Sequence, residues 1–510
     1  MLIKVYSSAV FGIDAQLIII EVFIDKGIGY HLVGLPDNAI KESSYRIAAA
    51  LANNGFKLPG KKITINLAPA DLRKEGSAYD LPISLAILAA SQQITISDFK
   101  EYLILGELSL DGSVLPIKGA LPIAIQAKKD GFTKLIIPHA NANEAAIVDG
   151  IAVYGVKNLN EVLEVISDSG KILPVQLNTR QLFFDAYHQS EFDFADVKGQ
   201  ESVKRAIEIA AAGGHNIILV GPPGSGKTML AKRIASILPP MSLHEALETT
   251  KIHSVIGKVN AVGLISQRPF RSPHHTCSSV ALVGGGGYPQ PGELSLAHNG
   301  VLFLDELPEF KREVLEVMRQ PLEDREVTIA RAKYTVTYPS SVMLIASMNP
   351  SPSGFFLDEN APLQAVNEMR KYLAKISGPL LDRIDLHIEV NPVQFEQLSS
   401  AEKGECSESI RKRVIAARNI QLERYKAHEQ IFYNAQMQTN LLEQYCKLDA
   451  KSLTLLKKAM DRLNLSARAY DRILKVARTI ADLEAEACIL PQHIAEAIQY
   501  RSLDREGWLA

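Results

Sequence analysis

The sequence predicts an α/β protein in three parts: an N-terminal α/β domain, a core with a parallel sheet, and an all-helical C-terminal domain. Up to about Ser167, short strand-like runs such as Leu17–Ile24 alternate with helical patterns. From Glu191 to about Val390, apolar strands, a glycine-rich loop and helices follow in the order of a parallel sheet with crossover helices. From Pro392 onward the strand signals end and only helical spacing remains.

The N-terminal domain is expected to end at a segment that has little regular periodicity. Gly170, Pro174 and Asn178 lie in this segment, and residues of these types are common in linkers. We therefore predict an N-terminal domain over residues 1–168 and a linker over residues 169–190. Strand-like runs in this domain also include Lys62–Leu67 and Leu135–Ile137, and its helical patterns are Asp37–Asn53 and Pro82–Ala90.

The remaining residues divide at the point where the strand signals stop. We predict the core over residues 191–390 and a helical lid over residues 391–510. Helical spacing in the lid is found in Ser407–Tyr425, Ser452–Leu463, Ala467–Glu486 and Pro491–Leu503.

Composition sets broad limits on the class of protein. A chain of 510 residues exceeds what one hydrophobic core usually supports, so several domains are expected. Hydrophobic residues make up 47% and charged residues 22%, which is typical of a globular protein. Because the formal net charge is only −2, a nucleic-acid partner would have to be held by a local basic surface.

Cysteine usage and hydropathy predict a cytoplasmic protein without a membrane anchor. The four cysteines contain no CxxC pair, which disfavours a disulfide framework and a zinc site and fits a reducing cytosol. The apolar run near the start is interrupted by Glu21 and Asp25, far short of the ~20 residues that span a bilayer.

A loop in the predicted core has the residues needed to bind phosphate. Asn216–Val220 reads as a short strand and Met229–Leu238 as a helix. Between them lie Gly221, Pro222, Pro223, Gly224, Ser225, Gly226, Lys227 and Thr228. This is the GxxxxGK[ST] pattern in its strand–loop–helix context, where backbone N–H groups and a helix N-terminus surround the phosphates. We expect Lys227 to contact the β and γ phosphates of ATP and the Thr228 hydroxyl to ligate Mg²⁺.

Polar side chains follow the next two apolar strands of the core. Val301–Leu304 ends at Asp305 and Glu306, and a third strand ends near Asn349. In a parallel sheet such strand ends lie beside the phosphate loop. We expect Asp305 to hold Mg²⁺ through water, Glu306 to polarise the attacking water, and Asn349 to reach the γ-phosphate or that water. The alternatives are an exposed pair of acids at a helix start and an ordinary turn asparagine.

The order of these motifs resembles the ComM/YifB family, the magnesium-chelatase-like AAA+ ATPases of bacteria. The resemblance covers nearly the whole chain. It rests on the strings GLPD from Gly34, NLAPADLRKEG from Asn66, DLP from Asp80, RSPHHT from Arg271, PGELSLAHNGVLFLDE from Pro291 and SGPLLDRID from Ser377. The resemblance implies a homo-oligomeric ring, usually a hexamer, with ATP bound between subunits. It also implies that Arg383 is an arginine finger and Arg468 a sensor-2 arginine on the lid.

The resemblance further implies a helicase-type motor on DNA that promotes branch migration during natural transformation. Candidate DNA contacts are Arg268 and Arg271 in the segment Gln267–Gly287, and Arg331 and Lys333 in the predicted hairpin Glu326–Tyr338. Basic loops of this kind would bind single-stranded or branched DNA through its phosphates without reading sequence. The alternative is a structural insertion whose charges are solvated.

Two departures from related families lead to negative expectations. Many family members have a four-cysteine cluster after the Asn-Pro step, but here Asn349 is followed by Pro-Ser-Pro-Ser-Gly, so no structural zinc is expected. The N-terminal domain resembles the Lon protease domain (S5-type fold), yet Ala78 stands at the position of Lon's nucleophilic serine and Leu121 at that of its lysine. Peptidase activity is therefore not expected.

Histidines in the RSPHHT string raise the question of a metal site. His274 and His275 are adjacent, so they point to different faces of an extended chain, and the sequence offers no third ligand nearby. We expect no metal there.

Three functions are therefore considered from sequence. The first is an ATP-driven ring motor acting on DNA. The second is a magnesium-chelatase-type ATPase that remodels a protein partner, which would leave the Lon-like domain without a role. The third is an ATP-regulated protease, which would need the serine and lysine that Ala78 and Leu121 replace.

Overall fold

The computed structural model describes residues 1–96, 99–178, 192–331, 335–354, 362–393, 404–428, 431–463 and 465–501. The chain forms two compact units. The first unit comprises Met1–Ala186 and Ser242–Ser266, and the second comprises Tyr187–Met241 and Gln267–Ala510.

The strands are β1 (Leu2–Phe11), β2 (Asp14–Asp25), β3 (Gly29–Val33), β4 (Lys62–Ala68), β5 (Tyr102–Ile104), β6 (Glu107–Leu108), β7 (Val114–Leu115), β8 (Lys134–Pro138), β9 (Ala152–Val156), β10 (Ile217–Val220), β11 (Phe270–Arg271), β12 (Gly284–Gly285), β13 (Gln290–Pro291), β14 (Val301–Leu304), β15 (Glu326–Ala330), β16 (Thr335–Pro339), β17 (Met343–Met348) and β18 (Leu386–Glu389). The α-helices are α1 (Asn38–Lys41), α2 (Ser43–Asn53), α3 (Asp80–Ala90), α4 (Ala120–Lys129), α5 (Ala142–Ala145), α6 (Leu159–Ile166), α7 (Glu201–Gly213), α8 (Lys227–Arg233), α9 (Leu243–Val255), α10 (Ser279–Val283), α11 (Glu293–Leu296), α12 (Arg312–Glu316), α13 (Arg319–Asp324), α14 (Leu363–Leu373), α15 (Gly378–Leu381), α16 (Ser407–Arg424), α17 (Thr439–Tyr445), α18 (Ala450–Leu463), α19 (Ala467–Leu483) and α20 (Pro491–Gln499). In the described parts of the chain, no helix is both long and apolar enough to cross a membrane.

The first unit is built on a mixed seven-stranded sheet in the order β3-β4-β2-β1-β5-β8-β9. β2 pairs antiparallel with β1 and β4, and the other neighbours pair parallel. Ile18, Ile20 and Val22 of β2 are fully buried at every second position, as expected for a strand packed on one face. Helix α3 packs against β1 and β2 with all its residues buried, because its sequence is apolar on nearly every side.

Helix α9 belongs to the first unit although it follows the phosphate loop in sequence. The Gly119 N–H donates to the Ser254 carbonyl at 3.0 Å, and the Asn143 side-chain amide donates to the Ala261 carbonyl at 3.0 Å. The sequence prediction assigned this segment to the core. Periodicity indicates that a segment is helical but does not show which sheet it packs against.

A parallel five-stranded sheet forms the centre of the second unit, in the order β11-β14-β17-β10-β18. Every residue of β10, β14 and β17 is buried, which is typical of a parallel sheet covered by helices on both faces. This confirms the predicted parallel-sheet core. The carboxyl ends of the three strands reach the same edge, where the phosphate loop begins.

The C-terminal region is helical, as predicted. On α19, Ile473, Val476, Ala477 and Ile480 are buried at helical spacing, and the Ser466 hydroxyl caps its start by accepting from the Ala469 N–H at 3.2 Å. The four helical patterns found in the sequence correspond to α16, α18, α19 and α20. Helix α17 is an addition that the sequence patterns did not indicate.

Two short antiparallel hairpins are inserted beside the core sheet, β12–β13 and β15–β16. The Tyr338 hydroxyl of the second hairpin donates to the Pro289 carbonyl of the first at 2.9 Å. A Cβ built on Gly284 would lie 2.8 Å from Cδ1 of Ile329, so the backbone of one hairpin passes close to a side chain of the other. The two hairpins therefore form one connected feature.

Candidate nucleotide-binding site

The phosphate-loop lysine lies folded against the loop itself. Its ammonium Nζ donates to the carbonyls of Gly221 at 2.7 Å and Pro222 at 2.9 Å, and to Oδ1 of Asn349 at 3.2 Å. Burial lowers the pKa of Lys227, and the nearby carboxylates of Asp305 and Glu306 oppose that shift. The contact with Asn349 joins the loop after β10 to the end of β17.

Thr228 and Asp305 form the second link across this edge of the sheet. The Thr228 hydroxyl donates to Oδ2 of Asp305 at 2.8 Å, and the Ser347 hydroxyl donates to Oδ1. Both carboxylate oxygens are thus oriented by hydroxyl groups from two different elements. Hydroxyl and carboxylate oxygens are the ligands that Mg²⁺ prefers.

Glu306 has a left-handed backbone, with φ of +53°. Its N–H points to Oδ1 of Asp305 at 3.2 Å and to Oγ of Ser347 at 3.3 Å. The side chain is 59% exposed, and its Oε2 lies 3.6 Å from Nδ1 of His275. A carboxylate placed in this way is accessible to water beside the oriented Asp305.

The loop fits a chain of nucleotide phosphates. Ser225 Oγ is buried and finds no hydrogen-bond partner in the part of the chain that the structure describes. A Cβ on Gly224 would meet no atom within 4 Å, whereas a Cβ on Gly221 would lie 2.2 Å from the Val390 carbonyl oxygen. Glycine is therefore required at Gly221 by packing, while Gly224 leaves the loop open where backbone N–H groups can approach an anion.

The two arginines of the predicted ring mechanism have partners within the chain. Arg383 donates from Nη1 to the Pro379 carbonyl at 2.7 Å, and its Nη2 forms an ion pair with Glu323. Arg468, at the start of α19, is 63% exposed and lies 3.6 Å from Asp382. The structure thus brings Lys227, Thr228, Asp305 and Asn349 together, and it holds Arg383 through contacts outside that group.

Two of the four residues that are candidates for DNA contact form hydrogen bonds or ion pairs within the chain. Arg268 donates to the Pro239 and Asn299 carbonyls, each at 2.7 Å, and Arg271 forms a two-point ion pair with Glu293 at 2.6 and 2.7 Å. These contacts support internal structural roles. Arg331 is exposed at the end of the second hairpin, and Lys333 lies outside the described residues.

In the first unit, the positions that match the Lon serine and lysine carry no nucleophile or base. Ala78 is half-buried and packs against an apolar cluster, and Leu121 is fully buried. The neighbouring Ser77 hydroxyl donates to the carboxylate of Glu107. Lys118 is exposed one residue before Gly119.

Comparison with known proteins identifies the family. Models described as Magnesium chelatase, subunit ChlI; Subunit ChlI of Mg-chelatase; and Magnesium chelatase, subunit ChlI C-terminal match residues 193–398, 20–141 and 404–501, respectively. The competence protein ComM of Haemophilus influenzae is 44% identical over 503 residues, covering 98% of this chain and 97% of that protein. The chain belongs to the ComM/YifB family.

Other similarities agree with membership of the ComM/YifB family. The uncharacterized protein YifB of Escherichia coli is 43% identical over 506 residues, which cover 98% of this chain and 97% of that protein. An archaeal Lon protease of Methanocaldococcus jannaschii is 29% identical over 180 residues, or 32% of this chain. Membership of this AAA+ family supports ATP hydrolysis as the activity, and it implies ATP and Mg²⁺ as the groups the site would hold.

Two residues beside the acids were not assigned a role from sequence. Ser347 contacts both Asp305 and Glu306, and His275 lies beside the carboxylate of Glu306. The sequence pattern raises His275 only as a candidate metal ligand. The signal for Ser347 is its place on β17: because Leu304 is paired with Ala346, the next step in register brings Asp305 opposite Ser347.

Proposed function

We propose that this ComM/YifB chain is an ATP-driven ring motor that acts on DNA and promotes branch migration during DNA uptake and recombination. The ATPase part of the proposal is carried by one observation. Lys227 reaches Asn349 and Thr228 reaches Asp305 at a single edge of the parallel sheet. That arrangement supplies a cation, a hydroxyl, a carboxylate and an amide at the place where an α/β sheet binds its ligand.

Each of these residues has a distinct role in the proposed hydrolysis. Lys227 leaves the loop carbonyls to neutralise the β and γ phosphates of ATP. Thr228 and, through water, Asp305 would hold Mg²⁺, which would offset charge on the phosphate oxygens. Glu306 orients the attacking water and accepts its proton, and Asn349 hydrogen-bonds the γ-phosphate or that water.

A ring would complete the site with residues from a neighbouring subunit. We propose that Arg383 acts as a finger on the neighbour's nucleotide and that Arg468 senses nucleotide from the lid. A guanidinium offers planar donors for charge that develops on the transferred phosphoryl group. This assignment follows the family's motif at Leu380–Arg383 and requires Arg383 to exchange its contact with Glu323 for one across the interface.

The DNA part of the proposal rests on the connected hairpins and on the competence protein ComM as a relative. Arg331 is exposed at the second hairpin, and its Nη2 lies 3.2 Å from a Cβ built on Gly285 of the first hairpin. We propose that Arg331 and Lys333 contact DNA phosphates and that Arg268 and Arg271 stabilise the segment beside them. Such contacts would be independent of DNA sequence.

One observation favours a second candidate function. All three family models that match the chain describe the magnesium chelatase subunit ChlI. A chelatase-type ATPase would use the same nucleotide site to remodel a protein partner. DNA would then leave its turnover unchanged.

ATP turnover measured with and without DNA tests this proposal. We expect single-stranded or branched DNA to stimulate hydrolysis, and the protein to displace strands and move model junctions. Arg331→Ala should weaken DNA binding. In a plot of log K, the logarithm of the DNA association constant, against log salt concentration, the slope should decrease in magnitude by about one, which corresponds to one phosphate contact. Arg462→Ala, which removes an exposed arginine from α18, is the matched control and should bind DNA as the wild type does.

Results of two kinds would contradict the proposal. Turnover that is insensitive to DNA, combined with no junction movement, would reject the DNA motor and favour a protein partner. An effect of Arg331→Ala no larger than that of Arg462→Ala would reject the hairpin as the DNA contact.

A further inference from the structure

Ser347 occupies a central and fully buried position at the edge of the core sheet. It is the penultimate residue of β17, which lies between β14 and β10, and its side chain is 0% exposed. In register it is paired with Leu219 of β10, and it follows Ala346, the partner of Leu304. A buried hydroxyl usually has at least one hydrogen-bond partner within the protein, and it can both donate and accept.

The hydroxyl of Ser347 meets both acids that follow β14. Its Oγ donates to Oδ1 of Asp305 and accepts the N–H of Glu306 at 3.3 Å. The other oxygen of the Asp305 carboxylate accepts from Thr228 at 2.8 Å. The hydroxyl proton of Ser347 is therefore donated to Asp305, and a lone pair of the same oxygen accepts the N–H of Glu306.

Each contact restrains a group that the proposed reaction needs. The Asp305 carboxylate accepts a hydrogen bond from Ser347 at one oxygen and from Thr228 at the other. These two bonds restrain its rotation. Glu306 has φ of +53°, a conformation that a residue with a side chain rarely adopts without support. The contact with Ser347 satisfies the N–H of Glu306 in that conformation.

We propose that Ser347 is a positioning residue of the ATPase reaction, orienting the magnesium-binding carboxylate of Asp305 and the backbone that presents Glu306. The inference rests on the proposed nucleotide site. Ser347 touches neither phosphate nor water in this role and acts through the two acids. Groups of this kind, hydrogen-bonded to a metal ligand, commonly change metal affinity or activity by about 10 to 100-fold when removed.

Ser347→Ala removes the hydroxyl and keeps the size of the site. We expect the Mg²⁺ concentration for half-maximal hydrolysis to rise by about tenfold or more and kcat to fall by about 10 to 100-fold. Binding of a fluorescent ATP analogue in EDTA should be unchanged, because Lys227 and the loop are intact. The matched control is Ser340→Ala, which removes another fully buried hydroxyl just after β16, and its Mg²⁺ dependence should equal that of the wild type.

A second pair of variants covers the case in which Ser347→Ala does not fold. Ser347→Thr and Ser347→Val have nearly equal volume and differ in the hydroxyl. Threonine should keep the wild-type kcat and Mg²⁺ requirement, whereas valine should show the lowered kcat and the raised Mg²⁺ concentration for half-maximal hydrolysis. Equal behaviour of threonine and valine, or of Ser347→Ala and Ser340→Ala, would overturn the role of Ser347.

Failure of the inference can be separated from failure of the proposed site. If Lys227→Ala hydrolyses ATP as fast as the wild type, the nucleotide site itself is misplaced. If Lys227→Ala is inactive and Ser347→Ala has wild-type kcat and Mg²⁺ dependence, only the role of Ser347 is rejected.

Discussion

Glu306 combines an unusual backbone conformation with a side chain that the proposed reaction uses. Its left-handed φ of +53° costs about 1–2 kcal/mol for a residue with a side chain, and hydrogen bonds from its N–H to Asp305 and Ser347 offset part of this cost. The result is an exposed carboxylate beside the carboxylate of Asp305, which two hydroxyl groups orient. A residue placed in this way is suited to act on water rather than to hold the fold.

Glu306→Gln should therefore retain ATP binding and slow hydrolysis by about a hundredfold or more, since the amide keeps the shape and loses the base. Binding of a labelled nucleotide and steady-state phosphate release measure the two effects separately. Glu309→Gln, on an exposed glutamate three residues further on, is the control and should turn over normally. Loss of ATP binding in Glu306→Gln would show that the role assigned to this carboxylate is mistaken.

The residues that meet at the edge of the core sheet were predictable where the pattern is local. The spacing of the phosphate loop defines Lys227 and Thr228, and an apolar strand that ends in two acids points to Asp305. Ser347 and His275 could not be found in this way. Their contacts depend on strand register and on the path of a loop, and neither is written in the spacing of nearby residues.

At the scale of elements, a buried charged cluster joins the core sheet to helix α19. Asp385 precedes β18 and is 1% exposed; it accepts from Arg472 of α19 at 2.8 Å and from the Asn216 N–H at 3.1 Å. Burial opposes its ionisation, but Arg472, His215 and Lys475 outweigh burial and hold the pKa of Asp385 well below its ordinary value. The carboxylate is therefore charged at neutral pH.

Asp385→Asn should lower the free energy of unfolding by about 1–3 kcal/mol at pH 7, because the partly buried Arg472, 24% exposed, loses its counter-charge and a charged hydrogen bond. A depressed carboxylate pKa contributes stability above the unfolded value of about 3.9 and loses it as pH falls towards the folded value. The difference between wild type and variant should thus shrink below about pH 4. Urea unfolding across pH measures this, with the exposed Asp461→Asn as control; a difference that is independent of pH would contradict the account.

The placement of α9 and the loop after it depends on close backbone packing in the first unit. Gly263 has φ of +90°, and a Cβ there would lie 2.7 Å from the Glu144 nitrogen. Gly170 also has a positive φ, of +69°, but a Cβ there would meet no atom within 4 Å. Both glycines have a positive φ, but only at Gly263 would an added Cβ clash with neighbouring atoms.

Gly263→Ala should therefore destabilise the protein by about 1–3 kcal/mol more than Gly170→Ala, the extra loss coming from overpacking. Thermal unfolding followed by circular dichroism measures the difference. Equal melting temperatures for the two variants would contradict the packing of residues 256–266 on the first unit.

Element types were predictable wherever periodicity was strong, and their partners were not. The period of Ala467–Leu483 predicted α19, and the apolar run Val301–Leu304 predicted β14. Helix α9 also lies in a region rich in helical residues, yet its membership of the first unit follows from contacts such as that between Gly119 and Ser254. Contacts between residues so far apart in the chain leave no recognisable pattern in the local sequence.

At the scale of the whole molecule, the chain passes between its two units more than once. The second unit includes the chain up to Met241, the first unit takes Ser242–Ser266, and the second unit resumes at Gln267. The phosphate loop lies before the excursion, and the segment with His275 lies after it. The candidate nucleotide site thus contains residues from both sides of a segment that belongs to the first unit.

The proposed role of Arg383 implies that the site is incomplete in one subunit. Within the chain it pairs with Glu323, and its Nη1 donates to the Pro379 carbonyl. If this pairing were its only role, Glu323→Gln and Arg383→Ala would have similar effects on turnover. If Arg383 acts on a neighbour's nucleotide, Arg383→Ala should reduce hydrolysis by about three orders of magnitude or more, while nucleotide binding stays near that of the wild type.

Mixing Arg383→Ala protein with Lys227→Ala protein and measuring ATP hydrolysis tests the shared nucleotide site most directly. Lys227→Ala alone should be inactive, because it removes the cation that neutralises the β and γ phosphates. In mixed rings, an interface that joins the intact loop of the first variant to the intact Arg383 of the second contains one complete site, so the mixture should hydrolyse more ATP than either variant alone. If mixed rings, verified by native mass spectrometry, show no such gain, Arg383 acts within its own chain as the partner of Glu323.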